Sequence, residues 1–373
     1  MKILVTGGAG FIGSHLVDAL VEKGHNVIVY DNLEPQTHGS AQNIPDYLNK
    51  NIKFIKSDIR DKAALGSVLS EVDVVFHLAA MLGIGQSMYQ IERFVDVNSR
   101  GSAILLDFIV NSNHSVKKLI VASSNTIYGE GRYECEDCGL VSPKLRSKEQ
   151  LSKGDWELNC PNCGKKVIPV PTDEDKPIDC ESVYALTKLD EEKLFMMTGK
   201  AYGINTTALR FFNVYGSRQA LSNPYTGVCA IFSTALLCGK SPRIYEDGKQ
   251  TRDFVHVKDI VQGLTLAMEK PESRNEVFNV GTGVATSIEY AVTTLASLIN
   301  PLIKLDIQGK FRPGDTRHCY ADISKIKNKL GYSPKFSFSE GMKELVEWVK
   351  YQRGKVEDKS EQANEELRKK GLL

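Results

Sequence analysis

Short apolar runs alternate with stretches of helical periodicity along the first half of the chain. The first run, Ile3-Leu-Val5, leads into a loop with Gly7, Gly10 and Gly13, and a helix with one apolar face is predicted to open at Phe11. Glycines at these positions let backbone amides approach a pyrophosphate, whose negative charge suits the positive end of a helix. The opening of the chain therefore predicts a strand, a dinucleotide-binding turn and a helix.

The same alternation continues downstream and indicates a parallel sheet covered on both faces. Further strands are predicted at 26–30, 52–56, 73–77, 118–122 and 206–211, and helices at 61–69, 88–111 and 183–202. Runs such as 73–77 are nearly all apolar, which is typical of strands buried on both sides. The pattern predicts an α/β fold with a Rossmann-type doubly wound parallel sheet.

The second predicted strand ends at Asp31. A carboxylate at this place can accept hydrogen bonds from a ribose 2′-hydroxyl, and it would repel a 2′-phosphate. The sequence therefore favours NAD over NADP as the dinucleotide.

The pattern changes twice, which suggests an insertion and a second lobe. Residues 131–171 are polar and lack periodicity, and the segments after residue 213 are shorter and richer in loops. We expect an NAD-binding Rossmann domain at 1–212, with 131–171 as an inserted segment and 253–284 returning to it. A smaller C-terminal substrate lobe is expected at 213–252 and 285–350. A charged tail at 351–373 is predicted to form a solvated or frayed helix.

The inserted segment holds two Cys-x-x-Cys-Gly turns, with Cys135 and Cys138 in the first and Cys160 and Cys163 in the second. Two such turns can grip one ion in a tetrahedral four-sulfur site, so we predict a zinc-ribbon-like segment with a structural Zn²⁺. Four protein ligands leave no open position for water, so this metal is not expected to be catalytic. Because the segment lies between Ser124 and Tyr184, we expect it to form a zinc-stiffened flap over or beside the substrate pocket.

Tyr184 and Lys188 are four residues apart and lie on one face of a predicted helix. A free phenol is a poor base at neutral pH, but a neighbouring ammonium and a positively charged nicotinamide would favour the phenolate. The pair could then take a proton from a substrate hydroxyl while a hydride leaves for NAD⁺. Ser124, at the end of a predicted strand, would hydrogen-bond the reacting oxygen, with help from Thr126.

Net charge, apolar runs and cysteine usage limit the binding partners and the cellular compartment that the protein is expected to have. The 373 residues carry a formal net charge of +1, which gives no general attraction to nucleic acid or membranes. No apolar run is long enough to span a bilayer, and no signal peptide is evident. Clustered cysteines suggest metal binding in a reducing compartment, so we expect a cytoplasmic protein.

The motifs together resemble the extended short-chain dehydrogenases/reductases, in particular the nucleotide-sugar epimerase/dehydratase family. The resemblance rests on 6–13, 58–59, 77–80, Asn98, Ser124, Tyr184 with Lys188, 210–216 and 252–257. It implies cofactor contacts at Gly7, Gly10, Phe11, Ile12, Gly13, Asp31, Asn32, Asp58, Ile59, Leu78, Ala79, Ala80, Asn98, Tyr184 and Lys188. It also implies that Asn213, Arg252 and Arg312 hold the substrate's nucleotide diphosphate and that the protein is a homodimer.

The reaction is predicted from what stands next to Ser124. Dehydratases of this family carry an Asp-Glu pair there, and this chain has Asn125 and Thr126. Asp31 disfavours the NADPH-dependent reductases, and epimerisation at C4 of the sugar needs the fewest further groups. Loops at 85–89, 218–227 and 311–320 resemble those of 4-epimerases that act on dTDP-L-rhamnose. UDP-glucose/UDP-galactose-type epimerases, other UDP- or dTDP-sugars, a dehydratase or reductase, and a non-catalytic NAD-binding scaffold remain alternatives.

Overall fold

A computed structural model describes residues 1–40 and 42–373. Its strands are β1 (Lys2–Thr6), β2 (Asn26–Asp31), β3 (Lys53–Lys56), β4 (Val74–His77), β5 (Lys118–Ser124), β6 (Arg132–Cys135), β7 (Gly139–Val141), β8 (Ile168–Val170), β9 (Asn205–Phe211), β10 (Asn213–Tyr215), β11 (Arg243–Ile244), β12 (Thr251–Arg252), β13 (Phe254–His256), β14 (Glu276–Val280), β15 (Thr286–Ser287), β16 (Asp306–Ile307) and β17 (His318–Cys319). Its α-helices are α1 (Phe11–Glu22), α2 (Pro35–His38), α3 (Lys62–Leu69), α4 (Ile84–Ser87), α5 (Ile91–Phe94), α6 (Gly101–Asn111), α7 (Lys148–Ser152), α8 (Val183–Tyr202), α9 (Val228–Leu237), α10 (Val257–Glu269), α11 (Ile288–Ile299), α12 (Ser324–Leu330), α13 (Phe338–Tyr351) and α14 (Ser360–Lys369). A π-helix spans Val95–Arg100, and 3₁₀-helices span Asn125–Tyr128 and Pro271–Ser273.

Seven of the described strands form one parallel sheet in the order β14-β9-β5-β4-β1-β2-β3. The order turns back at β1, where the chain crosses from one half of the sheet to the other, and ligands in such sheets bind at the carboxyl ends near this point. The predicted Rossmann-type α/β fold is confirmed.

Alternate side chains of the central strand, β1, pack into two separate hydrophobic cores. Ile3 and Val5 belong to a core that includes α1 and α10, whereas Leu4 belongs to a core that includes α3, α6 and α8. This follows from the two-residue period of a strand, which sends successive side chains to opposite faces. Helices therefore cover both faces of the sheet.

A third core lies beside the sheet and joins α9, α11 and α13 around side chains such as Tyr215, Phe232 and Leu345. After contributing to this core, the chain returns to the main sheet, where β14 pairs with β9 at the edge. β13 pairs instead with β10 in a small separate sheet. This alternation places the third core against the carboxyl ends of the main strands.

The predicted helix at 88–111 is interrupted, which corrects the sequence reading. α4 and α5 are single turns, and the π-helix Val95–Arg100 precedes α6. A π-helix inside helical structure is rare and is found most often near functional sites. α8, by contrast, has the predicted bounds, because Ser182 caps its first turn and Gly203 ends it in the left-handed conformation.

The inserted module, residues 131–171, contains a small antiparallel sheet in the order β7-β6-β8, and the short helix α7 lies between β7 and β8 in the chain. Its own core includes Tyr133, Val141 and Leu158. The two Cys-x-x-Cys turns close hairpins, one between β6 and β7 and one at the bridge between Asn159 and Lys166.

The charged tail forms a helix, α14, but this helix is not fully solvated as expected. Ala363 and Leu367 are buried, and Leu367 packs against Gly85. Their four-residue spacing gives α14 one apolar face, which a composition rich in lysine and glutamate conceals. Among the helices of residues 1–40 and 42–373, none combines the length and the hydropathy that a membrane span requires.

Candidate active site

A cleft of about 1100 Å³ runs along the carboxyl ends of the parallel strands, between the sheet and the third core. It brings together almost all of the predicted site residues from distant parts of the chain. Those that line it are Gly7, Gly10, Phe11, Ile12, Gly13, Asp31, Asn32, Asp58, Ile59, Leu78, Ala79, Ala80, Ser124, Thr126, Tyr184, Lys188, Asn213, Arg252 and Arg312. The size of the cleft and its position suit a dinucleotide together with a second extended ligand.

The glycine loop is packed too tightly for side chains. A Cβ at Gly13 would lie 2.2 Å from the Gly7 carbonyl oxygen, and one at Gly7 would lie 2.8 Å from the Ala79 nitrogen. Gly7 also has a φ of +69°, in the left-handed region. No side chain caps α1, whose preceding residue is Gly10, so its first amides are available to an anion. The loop fits a dinucleotide pyrophosphate.

Asp31 is fixed by the loops that surround it. Its carboxylate accepts hydrogen bonds from the backbone N–H of Ala9 at 3.0 Å and of Leu33 at 2.9 Å. Each oxygen retains a lone pair for a ribose hydroxyl, as NAD binding requires. Farther along the cleft, Arg60 holds the carboxylate of Asp58 by paired hydrogen bonds and lowers its pKa to about 2.

Tyr184 lies in the wall of the cleft and is only 8% exposed. Burial raises its pKa well above the usual value, the charge of Glu191 raises it further, and the neighbouring Ser124 hydroxyl opposes both. Desolvation is the largest cause of the raised pKa, because burial penalises the charged phenolate. The expected lowering of this pKa by Lys188 together with a positively charged nicotinamide concerns the NAD-loaded enzyme and stays a prediction.

The ammonium of Lys188 is paired with the carboxylate of Glu191, the same carboxylate that raises the pKa of Tyr184. The Nζ atom lies 2.5 Å from a carboxylate oxygen of Glu191, and both side chains are buried. Desolvation raises the pKa of Glu191 to about 7 despite the lysine. Sequence reasoning missed Glu191, although a carboxylate three residues after a lysine on one helix is a recognisable pair.

Ser124 and Thr126 form a small hydroxyl group at the end of β5. The Thr126 hydroxyl donates to the Ser124 oxygen at 2.9 Å, and the Thr126 N–H donates to it at 3.2 Å. Behind them, the adjacent Ser123 donates to Glu192, which is also held by Arg210 in a buried ion pair. This network fixes the end of the strand from which the hydroxyls project.

Asn98 lies behind the wall of the cleft and does not line it. Its amide oxygen accepts the N–H of Met81 at 2.7 Å, and its amide nitrogen donates to the Met81 carbonyl and to Thr187. The predicted direct contact of Asn98 with the cofactor therefore has no geometric support. The side chain instead connects the π-helix to the segment after β4, which forms part of the wall.

The predicted substrate arginines, Arg252 and Arg312, both line the cleft. The guanidinium of Arg252 donates to the carbonyl oxygens of Thr316 at 2.6 Å and Arg317 at 3.2 Å. Arg312 stacks over the ring of Tyr245 at 4.5 Å and is partly exposed to the cleft. Two guanidinium groups facing one space suit the oxygens of a diphosphate.

The four cysteines of the module meet at one point. Their sulfur atoms all lie within 4.8 Å of one another, and those of Cys135 and Cys163 are 3.5 Å apart. In a tetrahedral zinc–thiolate site, neighbouring sulfurs are about 3.8 Å apart, since each Zn–S bond is about 2.3 Å. The residues therefore fit a four-coordinate metal ion and leave no ligand position open.

The module stands beside the cleft. Among the described residues its one contribution to the reacting end is Leu145, which lines a recess of about 110 Å³ with Asn125 and Thr126. The recess shares several residues with the main cleft, including Glu181, a carboxylate that sequence reasoning missed. Of the two predicted placements of the module, over or beside the pocket, the structure has the module beside it.

The C-terminal helix α14 also lines the cleft, which the sequence did not predict. Glu366 accepts hydrogen bonds from the hydroxyls of Tyr89 at 2.9 Å and Tyr225 at 3.0 Å. Glu361 pairs with Arg243 at 2.6 Å. Because Tyr89 follows α4 beside the sheet and Arg243 belongs to β11, α14 bridges the two sides of the cleft.

The sheet, the glycine loop and the Tyr-Lys pair define a dinucleotide-dependent enzyme. A family model described as GDP-mannose 4,6 dehydratase matches residues 4–137 and 164–345. The chain belongs to this family, a branch of the extended short-chain dehydrogenases/reductases. The gap in the match, 138–163, falls within the inserted module.

Individual relatives agree with the family assignment. The chain is 35% identical to dTDP-L-rhamnose 4-epimerase of Burkholderia thailandensis, over 93% of this chain and 94% of the relative. It is 33% identical to the solved structure of the UDP-glucose 4-epimerase of Thermotoga maritima with UDP-glucose, with a TM-score of 0.76 and coverage of 94% and 99%. The UDP-glucuronic acid 4-epimerase of Bacillus cereus, in complex with UDP-glucuronic acid and NAD, gives 29% identity, a TM-score of 0.73 and coverage of 94% and 99%. These relationships confirm the prediction of an isomerase, a nucleotide-sugar 4-epimerase that uses NAD.

Proposed function

We propose that the chain interconverts the C4 epimers of a dTDP- or UDP-sugar and that its substrate is dTDP-L-rhamnose. The observation that carries the proposal is the single cleft lined by the glycine loop, by Ser124 and Tyr184, and by Arg252 and Arg312. A cofactor on the glycine loop and a nucleotide sugar on the arginines would share this cleft with the tyrosine.

NAD⁺, when bound, supplies a hydride acceptor that can later return the hydride. Tyr184 would accept the proton of the C4 hydroxyl and return it at the end of the reaction, while Ser124 and Thr126 would orient the C4 oxygen. Lys188 and the positively charged nicotinamide would favour the phenolate in the loaded enzyme. Arg252 and Arg312 would retain the diphosphate while the keto sugar turns its other face to the cofactor.

The surroundings of Ser124 favour epimerisation over dehydration. Asn125 and Thr126 stand where family dehydratases carry acids. Glu130 follows closely, but its oxygens accept hydrogen bonds from Tyr133 and from the backbone of Arg317 and His318. It is therefore occupied as a structural group. Glu181 and Asp315 are the carboxylates that line the recess, and the presence of Glu181 beside Asn125 and Thr126 keeps the dehydratase as the second candidate.

Product analysis tests the reaction and the sugar together. The purified protein would be incubated with dTDP-L-rhamnose, UDP-glucose, UDP-galactose, UDP-N-acetylglucosamine and a GDP-sugar, and the products separated and weighed. We expect a product of unchanged mass and new retention time from dTDP-L-rhamnose. Loss of water would establish a dehydratase, turnover of UDP-sugars alone would refute the rhamnose assignment, and no conversion would favour a non-catalytic NAD-binding scaffold.

We propose that the four cysteines bind a structural Zn²⁺. Their convergence, in a module whose small core contains few large side chains, supports this proposal, because small domains commonly depend on a metal for stability. Thiolate ligands persist in a reducing environment, which supports the expected cytoplasmic location.

We propose that two copies pair through the helices around 88–112 and 183–202, as family members do. Support comes from exposed apolar side chains on these helices, including Ile91 at 54% and Met197 at 60% exposure. Replacing both with glutamate should convert a dimer into a monomer in light scattering after gel filtration, while Lys166→Gln should not. A wild-type monomer would contradict the proposal.

A further inference from the structure

The inserted module contacts the loop that carries Arg312 through charged side chains. We call residues 312–318 the arginine loop, because Arg312 and Arg317 lie in it. Two module side chains reach this loop, Arg146 and Glu157. Both lie between the two cysteine turns, within the segment that the family model does not match.

Arg146 contacts both the arginine loop and a residue outside it, Glu246. Its guanidinium forms paired hydrogen bonds with the carboxylate of Glu246, at 2.8 and 2.9 Å, and donates to the backbone carbonyl of Asp315 at 2.9 Å. The Arg146 and Glu246 side chains are 1% and 2% exposed. Buried paired bonds of this kind fix both partners strongly, because neither can return to water without leaving an unpaired charge.

Glu157 holds the next residues of the loop. One of its oxygens accepts from the guanidinium of Arg317 at 2.5 Å, and the other lies 3.3 Å from the ring of His318. Arg317 is fully buried, and it also donates to Glu246 and Asp247. Two arginines and three carboxylates thus form one network across the boundary between module and loop.

The network reaches the substrate arginines through the backbone. Arg252 is oriented by the carbonyl oxygens of Thr316 and Arg317, and Arg312 is paired with Asp315 at 2.9 Å. The module therefore contacts Asp315 and Arg317, which in turn bond the guanidinium groups of Arg312 and Arg252. Glu246 keeps a φ of +55°, a left-handed conformation that is costly for this residue type and is retained here by its ion pairs.

We propose that the inserted module is a positioning element for the diphosphate site, with Arg146 and Glu157 as positioning residues that act through the arginine loop on Arg252 and Arg312. This inference rests on the proposed function, which makes these two arginines the diphosphate ligands. The bound metal would hold the two cysteine turns at a fixed separation, and thereby hold the segment between them against the loop.

The test separates substrate binding from chemistry. The NAD-loaded wild type, Glu157→Gln, Arg146→Met and the control Lys166→Gln would be titrated with dTDP and with UDP by calorimetry, and then assayed for kcat and KM. Lys166 lies in the same module, but its side chain is 69% exposed. We expect about a tenfold rise in Kd and KM for Glu157→Gln and Arg146→Met, with kcat and NAD content within twofold of the wild type. Glu157→Asp should recover part of the affinity.

Each result has a distinct meaning. Unchanged dTDP and UDP affinity in Glu157→Gln would overturn the positioning role and leave the epimerase proposal intact. A wild type that binds neither nucleotide would overturn the proposed function and this inference with it. Arg146 is nearly fully buried, so Arg146→Met could fail to fold; Glu157, whose side chain is 47% exposed, then decides alone. An equal loss of kcat, NAD and thermal stability in Glu157→Gln would indicate a general structural role and refute positioning.

Discussion

Lys188 and Glu191 form a buried ion pair on α8, one turn beyond Tyr184, with 2.5 Å between the ammonium and the carboxylate. The pair places a negative charge near the phenol as well as a positive one. Since burial raises the pKa of Glu191 to about 7, this negative charge is present above neutral pH and largely absent below it. The phenol therefore experiences a field that changes within the physiological range.

Replacing Glu191 with glutamine should shift the pH dependence of activity to lower values. The Glu191 charge raises the pKa of Tyr184, so its removal favours the phenolate. The rising limb of log kcat/KM should move by up to about one pH unit, and the two profiles should converge below pH 7, where wild-type Glu191 is protonated. Lys193→Gln, at an exposed position of the same helix, is the control. A shift to higher pH would contradict this account of the pair.

Tyr184→Phe should abolish turnover and leave cofactor binding intact. The change removes a single oxygen, whereas the glycine loop and Asp31 remain in place to hold NAD. Loss of a positioned acid or base costs about 10²–10⁴-fold in rate, and we expect a loss at the upper end of this range. Steady-state assays and the NAD content of the denatured protein measure the two effects. Retention of more than a tenth of the activity would exclude Tyr184 as the proton carrier.

Metal analysis should find about one zinc ion per chain, bound by the four thiolates. Cys160→Ser should remove most of it and lower the melting temperature, because Cys160 belongs to the core of the module. Cys238→Ser is the matched control, since this cysteine is exposed and lies outside the cluster. Equal zinc contents in the two variants would disprove the site.

Weakening the contact of α14 with the cleft should loosen substrate binding. Leu367→Ala combined with Glu366→Gln removes the packing on Gly85 and the carboxylate that joins Tyr89 to Tyr225. We expect a several-fold rise in KM for the nucleotide sugar and faster proteolysis within 352–373, because loosely held segments are cleaved first. Glu365→Gln, on the exposed face of the same helix, should change neither. Unaltered KM and proteolysis in the double variant would show that α14 does not close the cleft.

The sheet and α8 could be predicted because they depend on local patterns, whereas most residues of the cleft were implied by the family resemblance. The apolar run Ile3–Val5 and the Tyr-x-x-x-Lys spacing can both be recognised without knowledge of distant contacts. The break of the 88–111 helix into a π-helix could not be predicted from its periodicity. The π-helix contains Asn98, whose side chain bonds the backbone of Met81, 17 residues away in the chain, and periodicity does not reveal such a contact.

The missed parts of the site share a different cause. Glu366 belongs to a charged segment, and its role arises only because Tyr89 and Tyr225, far apart in the sequence, both donate to it. The raised pKa of Tyr184 was missed because its main cause is burial, which residue spacing does not reveal. Long-range packing and desolvation therefore account for these errors.

The two ends of the inserted module are neighbours in space, since Arg132 of β6 pairs with Val170 of β8. Strands paired in this way are about 5 Å apart, so a short turn could join them and leave the host sheet undisturbed. Gain or loss of the module in evolution therefore needs little change of backbone, but it leaves charged partners of the module without their ion pairs. A descendant that discarded Arg146 and Glu157 would also have to replace Arg317 or its acidic partners. The charge network makes an easily exchanged segment hard to lose.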